Sequence, residues 1–240
     1  MDSVAVIGAG AAGLVCAASA ARNGFAVTIF ERTAPGGQLN LLSDVAVIPG
    51  GPEVNGPAYA ADLTDYAMNT GVDFRYEEVT ALERAEPGWQ LNGEDTFDHV
   101  VVAVGSDPDL SLVPGAEQLL GRGVSLCAAC DGPLYKGKRV AVAGGGRDAA
   151  YEAVELTQHA AEVVLLRTPG ATTVSLREHP EIRVVDVERF TACAGNPIES
   201  VSYVDLVGHG ERMSVDGLFP AVARRSPLAA LGVGAGDVLV

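Results

Sequence analysis

Short apolar runs recur along the chain, each closed by glycine or by a charged residue. Val4-Ala5-Val6-Ile7 predicts a buried parallel strand, and the Gly-rich turn from Gly8 to Gly13 follows it. An Ala-rich stretch from Leu14 to Arg22 predicts a helix that Asn23-Gly24 ends, and Phe25 to Phe30 predicts the next strand, closing at Glu31. Together these make one complete βαβ unit. Arg32 to Gly56 is rich in Gly and Pro and predicts loop. A helix is expected over Ala58 to Thr70, a strand over Val72 to Tyr76, and a small meander from Val79 to Asn92 with a Pro87-Gly88 turn. His99 to Val104 predicts an apolar strand that Gly105 ends. Ser106 to Gly123 shows little periodicity and predicts a linker. The pattern then restarts: strand Arg139 to Ala143, turn Gly144 to Gly146, helix Asp148 to Gln158, strand Ala161 to Leu166. Two units of one kind, one per half, imply an internal duplication. Ile182 to Val187 and Ser200 to Val207 are expected to complete the second sheet.

The 240 residues fit one large domain or two small ones. Sixteen basic against thirty-one acidic residues leave a net charge of −15, which excludes nucleic acid as a partner because phosphate neutralisation needs a basic stripe. Lys138-Arg139 and Arg224-Arg225 are the adjacent basic pairs, and two isolated pairs make no stripe. Val4 to Ala21 carries no charge and invites comparison with a signal peptide or membrane span. Asp2 stands where a basic region belongs, however, and Gly8, Gly10 and Gly13 interrupt the run, so the expectation is a cytoplasmic protein with no membrane segment. Four cysteines are too few for a disulfide scaffold in a chain of this length.

Gly8-x-Gly10-x-x-Gly13 lies between a strand and a helix, and Glu31 ends the second strand 23 positions after Gly8. Dinucleotide binding needs this arrangement. The first glycine makes the tight turn, the second lets backbone approach a pyrophosphate, the third packs helix on strand, and the acid accepts a ribose hydroxyl. Glu31 disfavours a 2′-phosphate, which leaves NAD or FAD. Gly144-x-Gly146-x-x-Ala149 repeats the pattern, but its second strand ends in Arg167-Thr168-Pro169 rather than in an acid. Either a working second site or a fold with weakened nucleotide affinity is consistent with that.

Cys127-Ala-Ala-Cys130-Asp131 carries candidate redox chemistry: two thiols at this spacing close a disulfide, and Asp131 is placed to move protons. A zinc site would need two more ligands, and His99, His159, His179 and His209 are scattered, so no metal is expected. Packing cysteines are the plainer alternative for the pair. Cys16 and Cys193 read as small core residues.

Two dinucleotide folds with a Cys-x-x-Cys-Asp between them resemble the low-molecular-weight bacterial thioredoxin reductases, from Val4 to about Val240. Gly36-Gly37-Gln38-Leu39, Pro49-Gly50, Val102 to Gly105, Pro114-Gly115, Gly123-Val-Ser125 and Val215 to Phe219 fall in that family's order. The resemblance implies an α/β fold of two Rossmann-like dinucleotide-binding domains, FAD-type and NAD(P)-type, in three layers. The FAD-binding domain would span 1–113, a hinge 114–122, the NAD(P)-type domain with the cysteines 123–222, and an incomplete return 223–240. It further implies FAD contacts at Gly8, Gly10, Ala11, Ala12, Gly13, Glu31, Arg32, Gly37, Gln38, Leu39, Val79, Ala103 and Gly105. Nicotinamide-dinucleotide contacts would fall at Gly144, Gly146, Arg147, Ala149 and Arg167. By the same resemblance Cys130 faces the flavin, Cys127 attacks a thioredoxin-like protein or small disulfide, Asp131 serves as acid and base, the lobes rotate on their linkers, and the protein is a homodimer.

The chain also departs from the family. Thr168 and Pro169 replace the arginines that hold the NADPH phosphate, Val47 stands where Asn precedes Pro49-Gly50, and Gly232 to Asp237 is at most a shortened form of the returning flavin segment. NADPH, NADH or another donor therefore stay open, as do a dithiol oxidase and a shortened, non-catalytic relative.

Overall fold

The computed structural model describes residues 1–42, 45, 54–169, 176 and 179–232. The expectations at Val47, Pro49-Gly50 and Val233 to Asp237 lie outside the described residues. The chain divides into two compact units, Met1–Asp107 with Ser226–Val240, and Pro108–Arg225.

The first unit is built on a parallel sheet of β1 (Ser3–Ile7), β2 (Ala26–Phe30), β3 (Asp73–Arg75) and a later strand, His99–Val102. Helices α1 (Ala11–Arg22) and α2 (Gly56–Asn69) accompany it, the latter capped by Asn55, whose side chain accepts from the Ala58 amide at 3.1 Å. The antiparallel meander comprises β4 (Leu82–Arg84), β5 (Trp89–Leu91) and β6 (Asp95–Phe97), and runs further than the Val79 to Asn92 expected. His99–Val102 is thus β7, and the sheet order is β3-β2-β1-β7. Alternate residues of β1 bury to opposite faces. Val4 and Val6 pack with Leu14, Ala17 and Ala18 of α1, while Ala5 and Ile7 pack with Phe30, Leu91 and Phe97. The alanines of α1 let helix and strand approach closely.

Ser106 to Gly123 contains the crossing between the units only near its start. The chain passes between units at Asp107/Pro108 and again at Arg225/Ser226, near the two-residue strands β8 (Asp107–Pro108) and β15 (Arg224–Arg225). The hinge expected over 114–122 is core: Val113, Ala116 and Leu119 are buried, and Pro114 and Arg122 carbonyls accept from the Cys193 and Ile198 amides at 2.7 and 2.9 Å. Three apolar side chains spaced by three residues, on or flanking short 3-10 turns, supply the burial that loop composition concealed.

The second unit contains α3 (Ala128–Asp131), β9 (Arg139–Ala143), α4 (Arg147–Thr157), β10 (Glu162–Arg167), β11 (Ile182–Gly195), β12 (Ile198–Asp205), β13 (Gly210–Ser214) and β14 (Gly217–Pro220). Its six-stranded sheet has the order β13-β12-β11-β10-β9-β14. β11 is more than twice the length anticipated because it serves two ladders: Ile182–Asp186 run parallel to β10, and Val187–Gly195 pair antiparallel with β12 through register shifts. The shifts break the alternation of buried positions, so the sequence pattern past Val187 gives no period-two signal.

Candidate active site

In the first unit Gly8 and Gly13 stand where no side chain fits. Gly8 has φ +102°, and a Cβ there would stand 2.5 Å from the Ala103 carbonyl oxygen. A Cβ on Gly13 would stand 1.9 Å from the Gly8 carbonyl oxygen, so only glycine lets α1 settle on this turn. Gly10 differs: a Cβ there would meet nothing within 4 Å, and among the described residues no side chain caps the start of α1, where the amides of Ala11, Ala12 and Gly13 follow. This open cradle of backbone donors at a helix start fits a pyrophosphate. Gly36-Gly37 lies against it, with the Gly36 amide donating to the Ala9 carbonyl at 2.7 Å. Gln38 and Leu39 follow on a 3-10 turn, with Gln38 Nε2 donating to the Ser106 carbonyl at 3.2 Å.

Glu31 is buried and staples the turn. Its Oε2 accepts from the Ala9 amide at 2.8 Å, and its Oε1 from the Thr33 amide and hydroxyl at 2.9 and 3.0 Å. Arg32 is exposed and paired with Asp107, whose hydrogen bond raises the guanidinium pKa. Val79 is buried in the core below, and Gly105 sits at φ +63° beyond β7.

In the second unit Cys127 and Cys130 form a disulfide, Sγ to Sγ 2.02 Å. Cys127 caps α3 and is 4% exposed, whereas Cys130 is exposed. The turn is held from below: the Cys127 amide donates to the Ser125 hydroxyl at 3.1 Å, the Ala128 amide to Glu152 Oε2 at 2.7 Å, and the Asp131 amide to the Cys127 carbonyl at 3.1 Å. Asp131 is half-buried next to Cys130. Sequence alone assigns neither Ser125 nor Glu152 this part, because Glu152 lies 22 positions beyond Cys130 and only the packing of α3 on α4 joins them.

Burial pushes the Glu152 carboxyl up to about 7 from 4.5; the Ala128 amide opposes this, and Asp148 and Glu155 add to it. A carboxyl raised in the folded state favours folding below pH 4.5, and that advantage is lost as pH rises through 7. Glu152→Gln keeps an acceptor for the Ala128 amide and removes the ionisation. We expect the variant to be more stable than the parent at pH 8, by on the order of 3 kcal/mol, and the difference to shrink towards pH 5. Urea unfolding followed by circular dichroism at the two pH values checks this.

The second glycine turn repeats the first. A Cβ on Gly144 would stand 2.0 Å from the Ala221 carbonyl oxygen, Gly146 has nothing within 4 Å, and Ala149 is buried beneath. Arg147 opens α4 at the surface, and Arg167 ends β10, bound to Asp186. Among the described residues no group of His, Cys, Asp and Glu is arranged to hold a metal, and no helix is long and apolar enough to cross a membrane.

The pyridine nucleotide-disulphide oxidoreductase family model matches residues 2–184. The thioredoxin reductase of Treponema pallidum (strain Nichols) is 32% identical over 228 residues, covering 90% of this chain and 74% of that protein. That of Bacillus subtilis (strain 168) is 34% identical over 166 residues, 68% of this chain and 52% of that protein. Among solved structures, Lactococcus lactis thioredoxin reductase in its FR conformation superposes with a TM-score of 0.86 at 26% identity, over 99% of this chain and 83% of that one. The thioredoxin reductase of T. acidophilum gives 0.82 at 26%, over 97% and 81%.

Proposed function

This chain belongs to the pyridine nucleotide-disulphide oxidoreductase family as a thioredoxin-reductase-like flavoenzyme, and on that premise we propose that its Cys130 reduces a thioredoxin-like protein disulfide or a small disulfide. The carrying observation is the exposure of Cys130 beside a buried Cys127. The Gly8–Gly13 cradle would hold FAD, which would supply the two electrons that the Cys127–Cys130 dithiol state requires. Two protons complete the dithiol, and Asp131, the residue after Cys130, is assigned the delivery of one of them.

Cys130 Sγ, as the thiolate, then attacks the substrate disulfide. One S–S bond breaks, a mixed disulfide forms, and one substrate thiol leaves. Cys127 Sγ attacks Cys130 Sγ, restoring the internal disulfide and releasing the second thiol. This assigns the outward attack to Cys130 and the resolving step to Cys127, the opposite of the roles that family resemblance implies. Ser125 and Glu152 hold the backbone of the turn through both steps. A nicotinamide dinucleotide on the Gly144–Ala149 turn is the natural donor, and a cytoplasmic homodimer is the assembly the family resemblance supports.

The protein as purified is expected to carry a flavin absorbance spectrum that bleaches under anaerobic dithiothreitol. A folded, colourless protein that takes up no added FAD would overturn the reading.

A further inference from the structure

The two glycine turns can be superposed by strand register alone, and the register locates the ribose corner of each. In the first unit the Gly8 amide donates to the Phe30 carbonyl at 2.8 Å, and the next residue, Glu31, is the acid of that corner. In the second unit the Gly144 amide donates to the Leu166 carbonyl at 3.1 Å, and the next residue is Arg167. An unengaged arginine there would suit a 2′-phosphate. Arg167 is engaged: Nε and Nη2 donate to Asp186 Oδ1 and Oδ2 at 2.5 and 2.9 Å, a bidentate fork. Asp186 is the register partner of Arg167 on β11, so the sheet itself holds the two together. Thr168 and Pro169, the next residues, bring no charge.

Among the described residues this corner therefore carries one arginine and one carboxylate, paired with each other. A phosphate dianion would have to break the fork or sit beside an ionised acid, whereas a ribose diol can donate to that acid. We propose that the second glycine turn selects a dinucleotide without a 2′-phosphate, NADH over NADPH, and that Asp186 sets the choice. The acid that Glu31 supplies from the second strand of the first unit is supplied here from the third strand. The inference rests on the dinucleotide reading of the second unit given above.

The test is calorimetric titration of the FAD-loaded chain with NAD⁺ and with NADP⁺, which needs no turnover. NAD⁺ is expected to bind at least about tenfold tighter, the scale of one charge-assisted hydrogen bond. Asp186→Asn frees the fork and removes the carboxylate. It is expected to tighten NADP⁺ by about tenfold and to leave folding intact, because an exposed ion pair contributes little stability. Tighter NADP⁺ binding by the parent chain, no improvement in Asp186→Asn, or no binding of either dinucleotide at millimolar concentration would each overturn the proposal. Bleaching of the flavin by dithiothreitol in the same preparation separates that failure from failure of the flavin–disulfide reading.

Discussion

Serine in place of Cys130 lowers kcat/KM for disulfide reduction by at least about a thousandfold, a loss of over about 4 kcal/mol of transition-state stabilisation, and leaves the bound flavin in place. Two residues of equal chemistry are not equal in access here: Cys130 is exposed and Cys127 is 4% exposed. A substrate disulfide on a folded partner reaches only the former without rearrangement of α3. The companion variant distinguishes attack from resolution. Cys127→Ser keeps the exposed thiol, so it should be inactive in turnover yet accumulate a covalent adduct with the substrate, visible by mass spectrometry under non-reducing conditions. Cys130→Ser should form none. The remaining thiols do not obscure the result: burial pushes Cys193 up to about 11, which keeps it protonated at pH 8, and Cys16 is half-buried on α1. An adduct on Cys130→Ser and none on Cys127→Ser would return the attack to Cys127.

Much of this site is legible in the sequence because its signals are local. Gly8, Gly10 and Gly13 need only the strand before them and the helix after them to be interpreted, and Cys127 and Cys130 are three residues apart. What sequence reading misses is contributed across the fold. Glu152 reaches the Ala128 amide from α4, and Asp186 reaches Arg167 from the neighbouring strand. Neither pair has a spacing rule, because sheet register and helix packing bring them together rather than periodicity. The burial within Ser106 to Gly123 goes unread for a related reason. Pro and Gly mark turns, but Val113, Ala116 and Leu119 between them find their burial in the core of the second unit's sheet.

The largest effect on structure is expected at the third glycine of the first turn. A Cβ on Gly13 would lie 1.9 Å from the Gly8 carbonyl oxygen, 3.1 Å from its carbon and 3.4 Å from Ala103 Cβ. The first of these neighbours is backbone and cannot rotate away. Gly13→Val must lift α1 off β1, which pulls Leu14, Ala17 and Ala18 from Val4 and Val6 and opens the cradle. We expect a cost on the order of 4 kcal/mol, above the usual range for overpacking, together with loss of bound FAD. Trp89 is the chain's single tryptophan and belongs to the first unit, so its fluorescence follows unfolding of that unit. Gly10→Ala is the matched control. It adds one methyl where nothing lies within 4 Å and where φ is already −72°. Its Trp89 unfolding curve should stay close to the parent's while flavin content falls, because the methyl occupies the space that a pyrophosphate needs. If Gly10→Ala retained full flavin while Gly13→Val unfolded early, the glycine turn would be a packing device alone, and the cofactor would have to be held elsewhere.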